Sequence, residues 1–326
     1  MTTLITGATG FIGAAVARRV LAEGRPVRVL VRHGSDRSNI EGLDVTVVKG
    51  DLTDAASLAE AVRGCKSVFH VAADYRIWCP DPAAMMTTNV EGSRALMQAA
   101  AEAGVQRAVY TSSVATIMPH ADATSADENT PSSVDNMIGS YKRSKYLAEQ
   151  VVLAVAEETG LDVVVVNPST PVGPRDIRPT PTGRLIRDAA AGRVPAYVET
   201  GLNIVHVDDV ADGHWLAHER GNVGRRYILG GENMSLREIL STVTRLAGRR
   251  PPTLQLPNPL AMGIAHMSEA VARLTGREPM ATVDGVRMAR HKMYFSSRRA
   301  SDELGYAPRP AHEALADAVA WFYKGG

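Results

Sequence analysis

Tyr141 and Lys145 lie four residues apart in a segment, 138–149, that reads Ile-Gly-Ser-Tyr-Lys-Arg-Ser-Lys-Tyr-Leu-Ala-Glu. This composition predicts a helix, and an α-helix turns once in about 3.6 residues, so the two side chains share one face. A fixed ammonium group beside a phenol favours the phenolate and lowers the tyrosine pKa toward neutrality. Such a tyrosine can exchange a proton with an alcohol or a ketone. The alternative is an ordinary surface pair, because Tyr-x-x-x-Lys is frequent by chance.

A glycine-rich turn near the N-terminus predicts a dinucleotide site. The apolar strand 4–6 is followed by Gly-Ala-Thr-Gly-Phe-Ile-Gly and then by the helical run 14–23. In this arrangement Gly7 permits a tight turn, Gly10 a close approach of phosphates, and Gly13 close helix–strand packing. Backbone N–H groups at the start of the helix then face a pyrophosphate, so Thr9, Phe11 and Ile12 are also predicted cofactor contacts.

The ends of the second and third strands carry the residues predicted to bind the adenosine half. Strand 27–31 is followed by Arg32, where an acidic residue would mark NAD, and a guanidinium suits the 2′-phosphate of NADP. Solvation of Arg32 in an ordinary loop is the alternative. Asp51, at the end of strand 45–48, can accept from the adenine amino group while Leu52 packs on the ring. Asp54 is the better N-cap of helix 54–63, which leaves Asp51 available.

Small and hydroxyl side chains follow the fourth and fifth strands. Ala72 and Ala73 permit close approach of a cofactor, whereas His70, inside an apolar run, is predicted to be packed. Thr111 and Ser113 follow strand 107–110, where ligands bind in an open α/β sheet. Turn formation is the alternative role of these hydroxyls. Because this strand and helix 140–157 should be neighbours, Ser113 is expected to reach the same alcohol as Tyr141.

The second half supplies a loop, a lid and an apolar stripe. Asn167, Pro168 and Thr170 belong to a stiff Pro-containing loop that can pack against a nicotinamide, with structural punctuation as the alternative. The polar stretch 175–201 is predicted to be a substrate lid. Most of Arg175, Arg178, Arg184 and Arg187 are expected to be solvated, and the others are available to a phosphate group of the substrate. Apolar residues at helical spacing between 260 and 274 predict a helix that faces the core, with contact to a lipid-linked substrate as the alternative.

Composition excludes several classes. The 326 residues are 45% hydrophobic and 22% charged, with net charge +1, so no nucleic-acid or anionic-membrane footprint is expected. Cys65 and Cys79 form no metal-binding pattern. With no apolar run of about 18 residues and no secretory leader, we expect a cytoplasmic protein without a membrane span or a metal site.

The ordered set of motifs resembles the extended short-chain dehydrogenase/reductases. The resemblance is carried by motifs in the expected order: Thr6-Gly7-x-x-Gly10-x-x-Gly13, Asp51-Leu52, Asn89-Val90, Ser112-Ser113, Tyr141-x-x-x-Lys145, Asn167-Pro168 and 206–210. Stretches 74–78, 110–116, 167–176 and 282–290 extend it over nearly the whole chain toward hopanoid-associated sugar epimerases and dihydroflavonol 4-reductases. The resemblance implies catalysis by Ser113, Tyr141 and Lys145, with Lys145 also holding the nicotinamide ribose. It also implies a homodimer formed through helices 83–103 and 140–157.

The predicted fold is α/β, a doubly wound parallel sheet of the Rossmann type. Residues 1–166 are predicted to form the dinucleotide-binding domain, which a strand near 203–207 can rejoin. Residues 167–326 should be mostly a smaller α/β substrate-binding domain.

Three functions compete on the sequence alone. The preferred one is a hopanoid-associated sugar epimerase that transfers hydride at a secondary alcohol of a nucleotide- or lipid-linked sugar. The second is a dihydroflavonol-reductase-like carbonyl reductase acting on a ketone, which Arg32 and a preference for NADP over NAD favour. The third, a non-catalytic NADP-binding regulator, has no need for an intact Ser113, Tyr141 and Lys145.

Overall fold

The structure is a computed structural model that describes residues 1–76, 78–79, 81–276 and 279–324. Ile77, in the stretch 74–78 that carries part of the resemblance, lies outside these ranges. Within them, no helix is both long and apolar enough to cross a membrane.

In the part of the chain that the structure describes, twelve strands form three sheets. In chain order they are β1 (Thr2–Thr6), β2 (Val27–Val31), β3 (Val45–Lys49), β4 (Cys65–His70), β5 (Arg107–Thr111), β6 (Asp162–Pro168), β7 (Thr170–Val172), β8 (Ala196–Val198), β9 (Gly201–His206), β10 (Arg226–Leu229), β11 (Glu232–Ser235) and β12 (Leu254–Leu256).

The main sheet has seven parallel strands in the order β10-β6-β5-β4-β1-β2-β3. Its order reverses between β1 and β4, and ligands of such sheets bind outside the strand ends at that reversal. The predicted doubly wound sheet is confirmed. Runs such as 163–166 are apolar throughout because helices cover both faces of a parallel sheet.

Among the described residues, twelve α-helices surround the sheets. They are α1 (Phe11–Ala22), α2 (Ala55–Val62), α3 (Pro82–Met86), α4 (Gly92–Glu102), α5 (Gly139–Thr159), α6 (Pro181–Ala190), α7 (Val207–Arg220), α8 (Leu236–Leu246), α9 (Asn258–Thr275), α10 (Val283–Met288), α11 (Arg298–Leu304) and α12 (Ala311–Lys324). One core cluster lies between the main sheet and α1 and α7, and a second between the sheet and α2, α4 and α5.

A π-helical turn, Thr87–Glu91, joins α3 to α4. The helix expected over 83–103 is therefore present, but it contains one wide turn. Such turns are rare in proteins and are frequent at functional sites.

The strand that joins the main sheet late in the chain is β10, which pairs with β6. The expectation that a strand near 203–207 rejoins this sheet is wrong. That strand, β9, instead forms a separate three-stranded sheet with β7 and β11. A buried apolar strand fits either sheet, so its sequence does not select a neighbour.

The apolar stripe of α9 faces outward. Its large side chains are exposed by 54% at Leu260, 72% at Met267 and 88% at Leu274, whereas the small Ala261, Ala265 and Ala272 are buried. The expectation of a core-facing stripe is therefore wrong, because the close packing of α9 uses its alanines.

Candidate active site

The glycine-rich turn connects β1 to α1 in a narrow space. Gly7 has a left-handed backbone (φ +73°), and a Cβ there would lie 2.7 Å from the backbone N of Ala72. A Cβ at Gly13 would lie 2.1 Å from the Gly7 carbonyl oxygen. The turn therefore requires glycine at both positions, and it places Gly7 directly against the exit of β4, where Ala72 and Ala73 follow.

This turn fits a dinucleotide. Gly10 is the N-cap of α1 and supplies no side-chain cap, so the first-turn amide groups of Phe11 and Ile12 have no side-chain acceptor there. Uncapped amides at a helix N-terminus bind phosphate. The Asn39 side chain donates to the Thr9 carbonyl at 3.2 Å and so supports the turn from behind.

The residues predicted to bind the adenosine half of the cofactor are Arg32, Asp51 and Leu52. Arg32 is exposed directly after β2. Burial opposes ionisation of Asp51 and Asp74, but hydrogen bonds from Thr53 lower the pKa of Asp51 and hydrogen bonds from Arg76 lower that of Asp74. The charge of Arg32 makes a smaller contribution in the same direction to each pKa. Asp51 accepts from the backbone and hydroxyl of Thr53 through one oxygen, Oδ1. The predicted N-cap at Asp54 is confirmed. Leu52 is buried against Gly92 at the start of α4.

Ser113, Tyr141 and Lys145 converge at the carboxyl end of β5. Ser113 hydrogen-bonds the Tyr141 hydroxyl, and its Oγ also accepts from the amide of Ala115 at 3.1 Å. The Lys145 ammonium donates to the Thr111 carbonyl at 2.7 Å and to the Tyr110 hydroxyl at 3.3 Å.

Burial governs the electrostatics of this trio. Burial raises the pKa of Tyr141, and the hydrogen bond from Ser113 offsets only part of the rise. Burial lowers the pKa of Lys145 to about 8, opposed by the charge of Glu149. The ammonium of Lys145 is directed to Thr111 and Tyr110 in this structure, so the expectation that Lys145 lowers the tyrosine pKa stays a prediction.

Asn167 and Pro168 are the last residues of β6, where Pro168 pairs in register with Leu229. The prediction of a stiff loop at these positions is wrong, and Thr170 opens β7. A proline is tolerated there because it ends the strand. The Asn167 amide donates to the Ser113 carbonyl and to Glu149, both at 3.1 Å, so it fixes the position of Ser113.

Two histidines near the site are packed groups. His70 is fully buried between Thr6 and Ser93, and burial together with the charge of Lys145 lowers its pKa to about 3. The prediction of a packed His70 is confirmed. His214, also buried, bonds the Thr111 hydroxyl at 2.8 Å, and burial lowers its pKa to about 4.

Sequence reasoning missed the role of Asn89 in the π-turn. Its side chain accepts from the Asp74 amide at 2.7 Å and donates to the Asp74 carbonyl and the Ser144 hydroxyl, both at 2.9 Å. Ser144 in turn donates to the Tyr141 carbonyl at 2.8 Å. Asn89 thereby ties the exit of β4 to the helix that carries Tyr141. The only sequence signal for this role was the presence of Asn89-Val90 among the ordered motifs that carry the family resemblance.

Sequence reasoning also missed Glu149, a carboxylate buried in α5. Glu149 accepts from Thr116 and Asn167 and pairs with Arg226 at 3.3 Å. It links α5 to β6 and β10. The sequence signal for this role was a charged residue on the apolar side of the helix.

Most arginines in the stretch 175–201 that was predicted to be a lid have carboxylate partners. Arg175, with a left-handed backbone (φ +73°), pairs with Asp208, and Arg187 bonds Asp188 at 3.1 Å. Arg178 is 70% exposed, 3.8 Å from Asp36. Among the described residues, no three His, Cys, Asp or Glu side chains are grouped to hold a metal.

Comparison with known proteins agrees with this geometry. The profile of the "NAD dependent epimerase/dehydratase family" matches residues 3–230. The chain belongs to this family. Its members of the extended short-chain dehydrogenase/reductase type are NAD(P)-dependent epimerases and oxidoreductases, so the chain is an enzyme that uses a nicotinamide dinucleotide.

Three proteins resemble this chain over nearly its whole length. A Synechocystis protein, provisionally named dihydroflavonol 4-reductase, is 45% identical to this chain. The aligned region covers 99% of this chain and 94% of that protein. Sterol demethylase protein B of Methylococcus capsulatus is 38% identical, covering 100% and 99%. The crystal structure of gox2253 is 55% identical with a TM-score of 0.90, covering 100% and 98%.

Proposed function

We propose that this enzyme exchanges hydride between NADP(H) and a secondary alcohol or ketone on an apolar ring. The observation that carries the proposal is the convergence of Ser113, Tyr141 and Lys145 at the end of β5, beside the glycine cradle of β1. A bound nicotinamide supplies the hydride acceptor or donor.

Side chains of the protein transfer the proton that accompanies the hydride. The Tyr141 hydroxyl gives its proton to the oxygen of a ketone, or takes one from an alcohol, and Ser113 holds the same oxygen by a hydrogen bond. Asn167 keeps Ser113 in place through its backbone carbonyl. Lys145, one helical turn from Tyr141, supplies positive charge that stabilises a phenolate when its ammonium turns from Thr111 toward the site.

NADP is the proposed cofactor because Arg32 stands where an acidic residue would select NAD. Its charge contributes to the lowered pKa of both Asp51 and Asp74. A guanidinium there can pair with a 2′-phosphate without moving the backbone.

An apolar substrate is supported by the lid and by the relatives. Arg175 and Arg187 are engaged by Asp208 and Asp188, which reduces the positive charge available to a nucleotide diphosphate. The names of the relatives mention a dihydroflavonol and a sterol, both fused-ring molecules.

A sugar epimerase with a hopanoid association is the second candidate. Arg178 and Arg184 lie near enough to Tyr75 to influence its ionisation, and Arg178 has only a distant partner. Two cations beside an aromatic ring can hold a nucleotide diphosphate. Under either function, a cytoplasmic homodimer formed through helices 83–103 and 140–157 stays a prediction.

The two candidates differ in net cofactor use. Purified enzyme is incubated with NADPH and either 5α-cholestan-3-one in detergent micelles or UDP-glucose. Consumption of one NADPH per steroid alcohol formed is the expected result. Interconversion of UDP-glucose and UDP-galactose with no net change in NADPH, together with cofactor that survives purification, would favour the epimerase instead.

A further inference from the structure

The exposed apolar side chains of α9 form one continuous stripe. They recur at alternating intervals of four and three residues: Leu260, Ile264, Met267, Val271 and Leu274. Residues at these intervals lie on one face of a helix. Even the most covered of them, Ile264, is 38% exposed, and Val271 is 57% exposed. An exposed row of large apolar side chains, unlike a single one, marks an interaction surface.

The opposite side of α9 is packed against the protein. Ala261 and Ala265 belong to a small core cluster with Val283 and Val286 of α10. The Glu269 carboxylate accepts a hydrogen bond from the Val283 amide at 2.8 Å. Rotation of α9 to bury the stripe would break these contacts, so the outward direction of the stripe is fixed by the fold.

The stripe projects from the surface. Met267 and Leu274 are exposed by 72% and 88%, and Met280, a few residues after the helix, by 92%. Small molecules bind in concave sites, and protein interfaces need a partner of matching shape. A projecting apolar row instead suits a medium that deforms around it. The interface of a lipid bilayer accepts the apolar face of a helix to a depth of about 5–10 Å.

The charge around the stripe is positive. Residues 247–297, which connect α8 to α11 and contain α9 and α10, include seven Lys and Arg against three Asp and Glu. This stretch therefore has a net charge of +4 and the rest of the chain −3, although the whole chain carries only +1. On α9, the Arg273 side chain is 75% exposed and that of Glu269 only 17%. Anionic lipids attract such a region, whereas two copies of it would repel each other.

We propose that the stripe of α9 docks this enzyme onto the surface of an anionic phospholipid bilayer. Leu260, Met267 and Leu274 enter the boundary between headgroups and acyl chains, and Arg273 contacts lipid phosphate. The helix lies in the plane of the membrane and does not cross it, in agreement with the lack of a spanning helix among the described residues. This docking goes beyond the proposed function and does not depend on it.

Docking brings the proposed active site near the bilayer. α10 packs on α9 through Val283 and Val286. The Asp284 carboxyl of α10 lies beside Gly139, where an added Cβ would be 2.7 Å from it. Gly139 is the first residue of α5, the helix that carries Tyr141. One short helix therefore separates the docking stripe from the start of α5, which places the site close to a membrane that dissolves apolar rings.

The test is co-sedimentation of the purified protein with vesicles. Vesicles of phosphatidylcholine, with or without phosphatidylglycerol, are mixed with the wild type, the double variant Met267→Gln/Leu274→Gln, and Val223→Gln. Val223 is 52% exposed in the loop before β10 and serves as the matched control. We expect the wild type and Val223→Gln to bind the anionic vesicles about ten-fold more tightly than the neutral ones, and the double variant to bind the anionic vesicles at least about ten-fold more weakly than the wild type.

Failure of the wild type to bind anionic vesicles, or equal binding by the double variant, would overturn the proposal. Sedimentation velocity without vesicles tests a second copy as the occupant of the stripe. A dimer that dissociates in the double variant would assign the stripe to contact between copies and overturn the proposal as well. Thermal unfolding checks the fold of the double variant, and Leu274→Gln alone replaces it if the melting temperature falls. Vesicle binding needs no hydride transfer, so absence of NADPH consumption with a steroid ketone would count against the proposed function alone.

Discussion

At the scale of single residues, Tyr141 is held where its proton is difficult to lose. Burial raises its pKa, and only the hydrogen bond from Ser113 counteracts the rise. The neighbouring ammonium of Lys145 is committed to Thr111 and Tyr110. Reorientation of that one side chain would change the ionisation of the phenol.

Replacing Tyr141 by Phe should remove the proton exchange and leave the cofactor cradle unchanged. We expect turnover to fall by a factor of about 10²–10⁴, with NADPH affinity within two-fold of the wild type. Steady-state NADPH oxidation and fluorescence titration measure the two quantities. Undiminished turnover would remove Tyr141 from the mechanism.

Arg32→Ala should weaken NADPH binding and spare NADH, because only NADPH carries the phosphate that the guanidinium would pair with. We expect the ratio of the two dissociation constants to shift by about ten-fold. Arg37→Ala, an exposed arginine five residues further on, is the control. An unchanged ratio in Arg32→Ala would refute the preference for NADP.

At the scale of elements, the site depends on how closely α1 approaches β1 and β4. Gly13→Ala places a methyl group 2.1 Å from the Gly7 carbonyl oxygen, and backbone must move to relieve the contact. We expect a loss of about 1–3 kcal/mol in the free energy of unfolding and a marked loss of cofactor affinity, measured by urea denaturation and NADPH titration.

Gly263→Ala is the matched control. Gly263 lies inside α9 with no heavy atom within 4 Å of an added Cβ. The same substitution should there raise the free energy of unfolding by up to about 1 kcal/mol, because alanine favours a helix. Equal effects at the two positions would contradict the close packing inferred for the turn.

Elements set by local chemistry were predictable, whereas those set by distant neighbours were not. The helix that carries Tyr141 and the Asp54 cap both depend on residues within a few positions. The placement of Asn167 in β6 depends on β10, about 60 residues later. The Asn89 contacts likewise need Asp74 and Ser144, which only the folded chain brings together.

Capping of α7 shows how a local rule can select the wrong neighbour. An aspartate at the start of a helix commonly caps it, so the sequence favours Asp208 as the N-cap. The cap is instead His206, whose Nδ1 accepts from the Asp208 amide. Asp208 instead pairs with Arg175 from the loop after β7. The Asp208 carboxylate therefore forms an ion pair with a distant segment instead of the N-cap hydrogen bond that its position in the sequence favours.

At the scale of the whole molecule, two buried lysines make stability depend on pH. The pKa of Lys142 and of Lys145 is about 8 in the fold and 10.5 for an unperturbed lysine. Between these values the unfolded chain holds more protons than the folded one, so the free energy of unfolding rises with pH.

Each lysine can add up to about 3 kcal/mol between pH 8 and 10.5. Urea denaturation from pH 7.5 to 9.5 measures the rise, and Lys142→Met should show a smaller one because one of the two groups is gone. Equal slopes for the wild type and Lys142→Met would show that Lys142 titrates normally.

The position of β10 at one edge of the main sheet has a consequence for the order in which the protein can be made. β6 ends at Pro168, but the strand that covers its open edge is not synthesised until Arg226–Leu229. During synthesis on a ribosome, the backbone N–H and C=O groups along this edge of the nascent sheet therefore stay unpaired while about 60 more residues emerge. During that interval the growing chain is open to wrong pairing and to capture by chaperones.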